Sequence, residues 1–392
     1  MLALNRPFLI IPKLILQPTW GGRYIIRSKG WGDIPGYSEV AIGQTYELFS
    51  GSKLLTNIDT TKSADFLPEL GNPDTDEISN ENPLFYRGTD HVTLSEMTAE
   101  HKEVIVGPKV WEKYQKMPLL IKLNQARGNS FQLHIKPGTE NFRWHPKPET
   151  WYYFEDGLVT FGLKPGTDLK AYKQTCEEIA NFMQLLSQAV RTSQKTLNEA
   201  NKEAKNFIEE ANPWQFVNRL EVKKGEVVDL SSGGLHHSWE EDIENHPLGN
   251  IVYEVQQDVM DPVCTIRAFD QGKIKENGSV REVHIDDYFS YLDSDPVAND
   301  PSNAYLQKKG ETLIYTQFYN MDELQLTSGR EIKMQDSFEH IYVKEGEVSI
   351  NAQGGSVTVT GGHSAFIPYS VSSYTLDPKV SSIVLRTYIS AK

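Results

Sequence analysis

Short stretches of alternating or wholly apolar residues dominate this chain, and turn residues separate them. Residues 152–154, 158–163 and 251–256 are examples of such strand-like stretches. Pairs such as Asp156-Gly157 and Pro165-Gly166 lie between them. Many short strands with frequent turns predict an antiparallel sandwich or barrel of the jelly-roll kind. We therefore expect a mainly β protein.

One long segment, residues 168–212, departs from this pattern because it contains no Gly or Pro. Its apolar residues recur every three to four positions, at Leu169, Tyr172, Cys176, Ile179, Met183, Leu186 and Val190. This spacing predicts an inserted amphipathic helix with Asp168 as its N-cap. The spacing falters from Thr192 to Lys195, so two helices and one kinked helix both fit. We also expect an acidic helix at about residues 61–70 and a solvated loop at 74–82.

The chain repeats a strand–turn–strand arrangement at residues 222–230 and again at 339–350. This repeat predicts two related β domains, with a boundary in the polar stretch 293–309. We place the first domain at residues 1–300, with the helical insertion at about 168–212, and the second at 301–392. The histidines of the second domain, His340 and His363, lack a carboxylate at ligand spacing, and Glu339 would face the opposite side of its strand from His340. We expect that domain to hold no metal.

Composition narrows the classes of partner. The chain of 392 residues has 53 acidic and 39 basic residues, a formal charge of −14. Such a surface argues against nucleic acid or an anionic membrane, and an anionic substrate would need a locally basic pocket. The 2 cysteines cannot form a disulfide framework. No run approaches the roughly 18 apolar residues that span a bilayer. We expect a cytoplasmic protein that does not bind membranes.

The residues with the most informative chemistry begin at 130. Ser130, Gln132 and His134 alternate along a predicted strand and so share one face. Glu149 precedes the next strand, and His236 follows a glycine turn. Two histidines and a carboxylate are a common ligand set for Zn²⁺, Fe²⁺ or Mn²⁺. A single histidine on a strand is more often structural, so the prediction depends on the combination. The neighbour of His236, His237, is an alternative ligand.

These residues and several others resemble, in order, the motifs of the type I mannose-6-phosphate isomerases, which are cupin proteins. That family has Ser-x-Gln-x-His, then Lys-x-Glu before aromatics, Gly-x-Leu-His-Ala, Glu-x-Gln-Gln and an arginine before Tyr-Asp or a similar pair. The matching residues here are Ser130/Gln132/His134, Lys147/Glu149/Trp151, Gly234/Leu235/His236, Glu254/Gln256/Gln257 and Arg267 before Phe269-Asp270. Upstream, residues 20–22 resemble the N-terminal signature, and residues 42–47 resemble Ile-Gly-Glu-Thr-Trp-Glu with Gln44 and Tyr46 in place of Glu and Trp.

The resemblance implies two cupin barrels, the second without metal, and a metal-dependent isomerase. It implies that Gln132, His134, Glu149 and His236 hold one Zn²⁺ per chain, or another divalent metal. The reaction it implies interconverts D-mannose 6-phosphate and D-fructose 6-phosphate through an enediolate. Glu254 is then the general base, Lys147 and Arg267 are catalytic and bind substrate, and Ser130 adds a hydroxyl donor. The partner is a small-molecule sugar phosphate, and the protein is a monomer or homodimer.

The departures from the family lie near the expected barrel mouth. The His-Pro-Asp-Asp that usually follows the metal strand is replaced by residues 134–138. The resemblance also implies an insertion between His236 and Glu254, and a shorter one before Arg267, where residues 258–264 replace a tighter turn. A buried Arg267 needs an anionic ligand or a structural acid such as Asp270. The alternatives are an isomerase or epimerase of an unphosphorylated sugar on the same metal site, and a non-catalytic sugar-binding cupin. An iron dioxygenase cupin is less favoured because the His-x-His pair typical of that class is missing.

Overall fold

The computed structural model describes residues 2–17, 20–34, 37, 39–56, 70–71, 91–126, 130–238 and 244–390. Within these ranges the chain is mainly β, with four antiparallel-rich sheets and a helical insertion. The expected fold class is therefore confirmed. The expected acidic helix and solvated loop lie outside the described residues, except that Leu70 begins a two-residue strand. No helix among the described residues is long and apolar enough to cross a membrane.

The first part of the chain combines short strands with a group of helices. The strands are β1 (Phe8–Ile11), β2 (Lys13–Ile15), β3 (Gln44–Leu48), β4 (Lys53–Leu55), β5 (Leu70–Gly71) and β6 (His91–Thr93). The helices are α1 (Tyr24–Ser28), α2 (Leu94–His101), α3 (Glu103–Val106) and α4 (Pro108–Tyr114). Thr93 caps α2 in a capping box with Glu96, which explains why that helix begins there.

The central part contains the strands that form the first barrel. They are β7 (Leu119–Ala126), β8 (Phe131–His134), β9 (Glu149–Tyr153), β10 (Gly157–Leu163), β11 (Val217–Val222), β12 (Val227–Asp229), β13 (Gly234–Ser238), β14 (Asn250–Gln257) and β15 (Ile266–Phe269). One sheet has the order β11-β10-β13-β8-β15, and β9, β14 and β7 lie side by side in a larger sheet. Because successive residues of a strand point to opposite faces, Lys122, Asn124 and Glu254 of β7 and β14 point into the first barrel. Their neighbours Ile121 and Tyr253 point away from it into an apolar core.

The expected helical insertion consists of two helices. They are α5 (Leu169–Arg191), with Asp168 as its N-cap, and α6 (Leu197–Ala211), which Thr196 and Glu199 begin with a capping box. The interruption at 192–196 therefore separates two helices and does not mark a kink. Their apolar faces pack with Phe131, Leu133 and Phe269 against the outer face of the smaller sheet. Two further short helices, α7 (Asp261–Cys264) and α8 (Ile285–Tyr291), flank β15.

The last part forms a second barrel. Its strands are β17 (Thr312–Tyr315), β18 (Asn320–Leu326), β19 (Arg330–Lys333), β20 (Glu339–Glu345), β21 (Glu347–Ala352), β22 (Gly355–Thr360), β23 (His363–Ile367), β24 (Ser373–Pro378) and β25 (Ser382–Tyr388). The preceding strand β16 (Tyr305–Leu306) pairs with β12 and so belongs to the larger sheet of the first barrel. The N-terminal strand β1 joins the second barrel, since Phe8 pairs with Phe366. The division at residue 300 stays a prediction.

A large apolar core joins the two barrels. Tyr253 and Ile121, on the outer face of β14 and β7, pack in one cluster with Tyr342, Phe366 and Leu385 of the second barrel. The other face of the same strands is thereby left to form a wall of the first barrel. The second barrel supports this wall from behind.

Candidate metal and substrate site

Two histidines and a glutamate from facing sheets meet inside the first barrel. His134 lies on β8, and its neighbour strand β13 places His236 directly opposite Gln132. Glu149 begins β9 in the larger sheet. The Nε2 atoms of His134 and His236 lie 3.6 and 2.8 Å from Glu149 Oε1. All three side chains are essentially fully buried.

The chemistry of this cluster fits a divalent cation. His134 Nε2 and His236 Nε2 are buried and make no hydrogen bond of acceptable geometry, while Glu149 Oε2 is paired with the ammonium group of Lys147. Buried nitrogen atoms without a hydrogen bond are costly, and lone pairs that converge on one point are satisfied by a metal. The other nitrogen of His134, Nδ1, lies 2.6 Å from the carbonyl oxygen of Cys264, which orients the ring. Among the described residues, the potential ligand atoms of these three side chains all lie within 4.8 Å of one another, close enough to hold one metal ion.

The protonation states of the cluster also suit metal binding. Burial, then the ammonium group of Lys147, lowers the pKa of His134 to about 4, so its imidazole is neutral at pH 7. Burial opposes ionisation of Glu149, but Lys147 and the two histidines hold the pKa of this carboxyl well below its usual range. A neutral imidazole and an ionised carboxylate are the forms that ligate metals.

Gln132, the predicted fourth ligand, lies on the strand next to His236. It is opposite His236 on one side and opposite Arg267 of β15 on the other. Directly opposed residues of antiparallel strands share a face, so all three side chains point to the same side of the sheet. Gln132 also lines the cavity described below. Its role as a ligand stays a prediction.

His237 lies on the opposite face of β13 from His236. Its ring stacks on Phe131 at 4.3 Å between centroids, and its Nδ1 lies 3.2 Å from Thr160 Oγ1. It also contacts Gln271. These contacts place His237 in the core between the sheet and the helical insertion, away from Glu149, so the arrangement favours His236 as the ligand.

Glu254 lies near the candidate metal ligand Glu149, and donors surround its carboxylate. Its Oε1 is 2.9 Å from Lys122 Nζ and 3.6 Å from Lys147 Nζ, and its Oε2 accepts a hydrogen bond of 2.7 Å from Asn124 Nδ2. Lys147 Nζ also lies 2.7 Å from Glu149 Oε2, so this ammonium group links the two carboxylates. Burial lowers the pKa of Lys147, but Glu149 and Glu254 together raise it above its usual value. Lys147 is therefore charged.

A chain of side-chain amides fixes the orientation of Asn124. Gln17 Nε2 donates to Gln44 Oε1 at 3.2 Å, and Gln44 Nε2 donates to Asn124 Oδ1 at 3.0 Å. Because its oxygen already accepts from Gln44, Asn124 presents its NH₂ group to Glu254. Lys122 and Asn124 are functional candidates beyond those predicted from the sequence. The signal for them in the sequence is that these two polar residues alternate with apolar residues along β7.

Arg267 is paired with an acid from the insertion. Its Nη2 donates to Asp261 Oδ2, and Thr265 Oγ1 donates to Asp261 Oδ1 at 2.6 Å. Asp270, which the sequence offered as an example of such an acid, instead lies 3.5 Å from Arg281 Nη1. The acid that pairs with Arg267 is Asp261, which begins α7 in the short connection before β15. The insertion does not turn Arg267 out of the site.

A cavity of about 500 Å³ connects these groups. Its lining includes Ser130, Gln132, Lys147, Glu149 and Glu254 among the predicted residues, together with Arg267. Aromatic side chains of Trp20, Tyr46, Phe49 and Trp151 form apolar parts of its wall. A few polar groups converging in a partly apolar cleft are typical of a small-molecule site.

The chain resembles known proteins most clearly in fold. Residues 309–387 match the family model for the cupin domain of mannose-6-phosphate isomerase. Among curated proteins, none is significantly similar to the chain in sequence. The mannose 6-phosphate isomerase from Bacillus subtilis has a similar structure, with a TM-score of 0.64 at 16% identity, covering 98% of this chain and 100% of that one.

Two other solved structures are also similar to this chain in fold at low sequence identity. A zinc-bound mannose 6-phosphate isomerase matches with a TM-score of 0.63 at 14% identity, covering 98% of this chain and 100% of that one. A mutant phosphomannose isomerase from Salmonella typhimurium matches with a TM-score of 0.64 at 14% identity and the same coverage. At such low sequence identity, these similarities show a shared fold and do not show a shared activity.

The fold and the site together define a two-barrel cupin protein with a candidate metal centre in its first barrel. Within that class, the fold is similar to that of solved mannose-6-phosphate isomerases, and residues 309–387 in the second barrel match the family model for the cupin domain of these enzymes. The resemblance stated from the sequence is confirmed at this level.

Proposed function

We propose that this chain is a metal-dependent aldose–ketose isomerase that interconverts D-mannose 6-phosphate and D-fructose 6-phosphate. The observation that carries the proposal is the meeting of His134, His236 and Glu149 with Glu254 beside one cavity. Isomerisation needs a group that stabilises negative charge on oxygen and a base at carbon, and this arrangement offers candidates for both.

His134, His236 and Glu149, with Gln132, would hold one Zn²⁺. When bound, the metal supplies Lewis acidity that stabilises negative charge on the substrate oxygens. Glutamine is a neutral ligand, so a site with one carboxylate keeps a net positive charge. Zinc is supported by the donor set and by the zinc-bound neighbour in fold.

Glu254 would move the proton between C1 and C2 of the sugar. Lys122 and Asn124 hold its carboxylate in place from two sides. Lys147 lies between Glu149 and Glu254 and would donate to a sugar oxygen that gains negative charge. Arg267 and Ser130 line the same cavity and would bind the substrate, with Arg267 contacting the phosphate. The cytoplasmic location and the monomeric or homodimeric state remain predictions from the sequence.

A second candidate is isomerisation or epimerisation of an unphosphorylated sugar on the same residues. The observation that favours it is the pairing of Arg267 with Asp261, which occupies the guanidinium group proposed for the phosphate. The same metal ligands and the same base would serve an unphosphorylated sugar, because none of them is proposed to contact the phosphate.

A coupled assay would test the proposal. The zinc-loaded and chelator-treated protein would be assayed against a panel of phosphorylated and free aldoses. We expect turnover of mannose 6-phosphate that chelation removes and zinc restores. Turnover of free mannose in preference to its 6-phosphate would support the second candidate. Sugar binding without turnover at any metal loading would show a non-catalytic binding protein and refute both.

A further inference from the structure

Asp261 places a carboxylate on the arginine that an anionic substrate would need. It accepts from Arg267 Nη2 through Oδ2 and from Thr265 Oγ1 through Oδ1. The Arg267 side chain is 10% exposed, whereas that of Asp261 is 63% exposed and lines the cavity. The arginine is therefore held by the barrel, while the acid reaches it from the mouth.

Arg267 also keeps an unused donor. Its Nε is buried and makes no hydrogen bond within the described part of the chain. A guanidinium group binds phosphate or carboxylate best through two parallel donors, and Asp261 engages it through Nη2. The pair is thus a contact that an external anion with more acceptor oxygens can replace.

The charged side chains that line the cavity show why the Arg267–Asp261 pair matters for an anionic ligand. Among the described residues that line it, the cations Lys122, Lys147, Arg267 and Arg281 are equalled in number by the carboxylates of Glu149, Glu254, Asp258 and Asp261. A phosphate dianion therefore enters a cavity whose own side chains are balanced. Desolvation raises the pKa of the Asp261 carboxyl, but Arg267 and the hydrogen bond from Thr265 lower it by more. The pKa is therefore well below its usual range, and the carboxylate is charged at neutral pH.

We infer that Asp261 is a specificity-determining residue that competes with the anionic group of a substrate for Arg267. It lowers the preference of this site for a phosphorylated aldose over the same sugar without phosphate. The inference rests on the proposed sugar isomerisation for its kinetic part. Its binding part needs only Arg267, Asp261 and inorganic phosphate.

The binding experiment compares Asp261→Asn with the wild-type protein by titration with inorganic phosphate. Asparagine keeps the shape and the acceptor for Thr265 but removes the charge. We expect phosphate to bind about tenfold more tightly to this variant, because a charge-assisted competitor is lost. The matched control is Asp258→Asn, which removes another carboxylate from the same cavity. The Asp258 carboxylate accepts a hydrogen bond from the backbone NH of Ser50 and is not paired with Arg267. The control variant should improve phosphate binding by no more than about threefold, as expected for a screened charge.

Further variants separate competition from a supporting role. Thr265→Val leaves the charge of Asp261 but removes the hydroxyl that holds it, and should tighten phosphate binding by a smaller factor. The double variant Asp261→Asn/Arg267→Gln should lose the gain. Unchanged or weaker phosphate binding in both Asp261→Asn and Thr265→Val would overturn the inference, because Asp261 would then serve to hold Arg267 in place.

The kinetic experiment measures kcat/KM for mannose 6-phosphate and for mannose. We expect the ratio of the two values to rise about tenfold in Asp261→Asn, in line with the binding change. A ratio that stays constant or falls would contradict the inference. If neither sugar is converted by any variant, the proposed function fails, and the phosphate titration still decides the role of Asp261.

Discussion

His236 Nε2 lies 2.8 Å from Glu149 Oε1, although the two residues belong to facing sheets of the first barrel. Neither atom has a hydrogen bond of acceptable geometry. The contact closes a buried cluster with His134, and it makes metal binding the first property to measure.

We expect about one equivalent of zinc per chain, and His236→Ala should lose it. Saturating zinc should stabilise the wild-type protein by about 3 kcal/mol at a hundredfold excess over the dissociation constant, because the metal binds the folded state. Elemental analysis and thermal unfolding with and without zinc would measure both effects. His145→Ala is the control, since His145 is exposed and outside the cluster. Full zinc retention by His236→Ala would contradict the assignment.

Glu254→Gln should lower kcat by about a hundredfold or more, because the variant keeps the shape of the side chain and removes the proposed base. The zinc content should stay at the wild-type level, since Glu254 is not in the ligand cluster. Steady-state kinetics and elemental analysis on the same preparation would test this. An unchanged kcat would remove Glu254 from the proposed chemistry.

Asn124 is a positioning residue for Glu254, and two substitutions should affect it differently. Asn124→Asp places a second carboxylate against Glu254 Oε2, so like-charge repulsion should lower kcat by about tenfold and move the pH dependence of kcat/KM to higher pH. Asn124→Leu removes the donor without adding a charge. It should lower kcat and move the pH dependence in the same direction but by less, because only a hydrogen bond to the ionised carboxylate is lost. A wild-type pH profile in both variants would show that Asn124 only fills space.

Stability should fall with acid, partly because of two histidines in the second barrel. Burial, the largest cause for each, lowers the pKa of His340 to about 3 and that of His363 to about 3. In the unfolded chain these groups titrate near about 6.5, so between roughly pH 6.5 and 3 the unfolded state binds more protons than the folded state. Each histidine should then reduce the free energy of unfolding by up to about 1.4 kcal/mol per pH unit as the pH decreases.

Denaturant unfolding of the metal-free protein from pH 7 to 4 would measure this dependence. His340→Leu should make the slope shallower in that range. The control His101→Leu, at a partly exposed position in α2, should leave the slope as in the wild type. An equal slope in His340→Leu and the wild type would show that this histidine does not drive the acid sensitivity.

Local sequence determined much of the fold and part of the site. Helices α5 and α6 follow from apolar spacing and from the caps Asp168 and Thr196, which act over a few residues. The shared direction of Gln132 and His134 follows from the period of two in a strand. These features depend on neighbours in the chain, so a pattern is enough to predict them.

The tertiary structure decided the contacts that depend on register and on facing sheets. The pairing of β13 with β8 set His236, and not His237, opposite Gln132, because a shift of one residue turns a side chain to the other face. The pairing of Lys122 with Glu254 joins residues on different strands, and no local pattern encodes that distance. Asp261 reaches Arg267 because the short helix α7 folds back, whereas Asp270 lies beside Arg281. The packing of the whole barrel determines which charged groups pair with each other. The sequence alone determined only which charged residues would need a partner if buried.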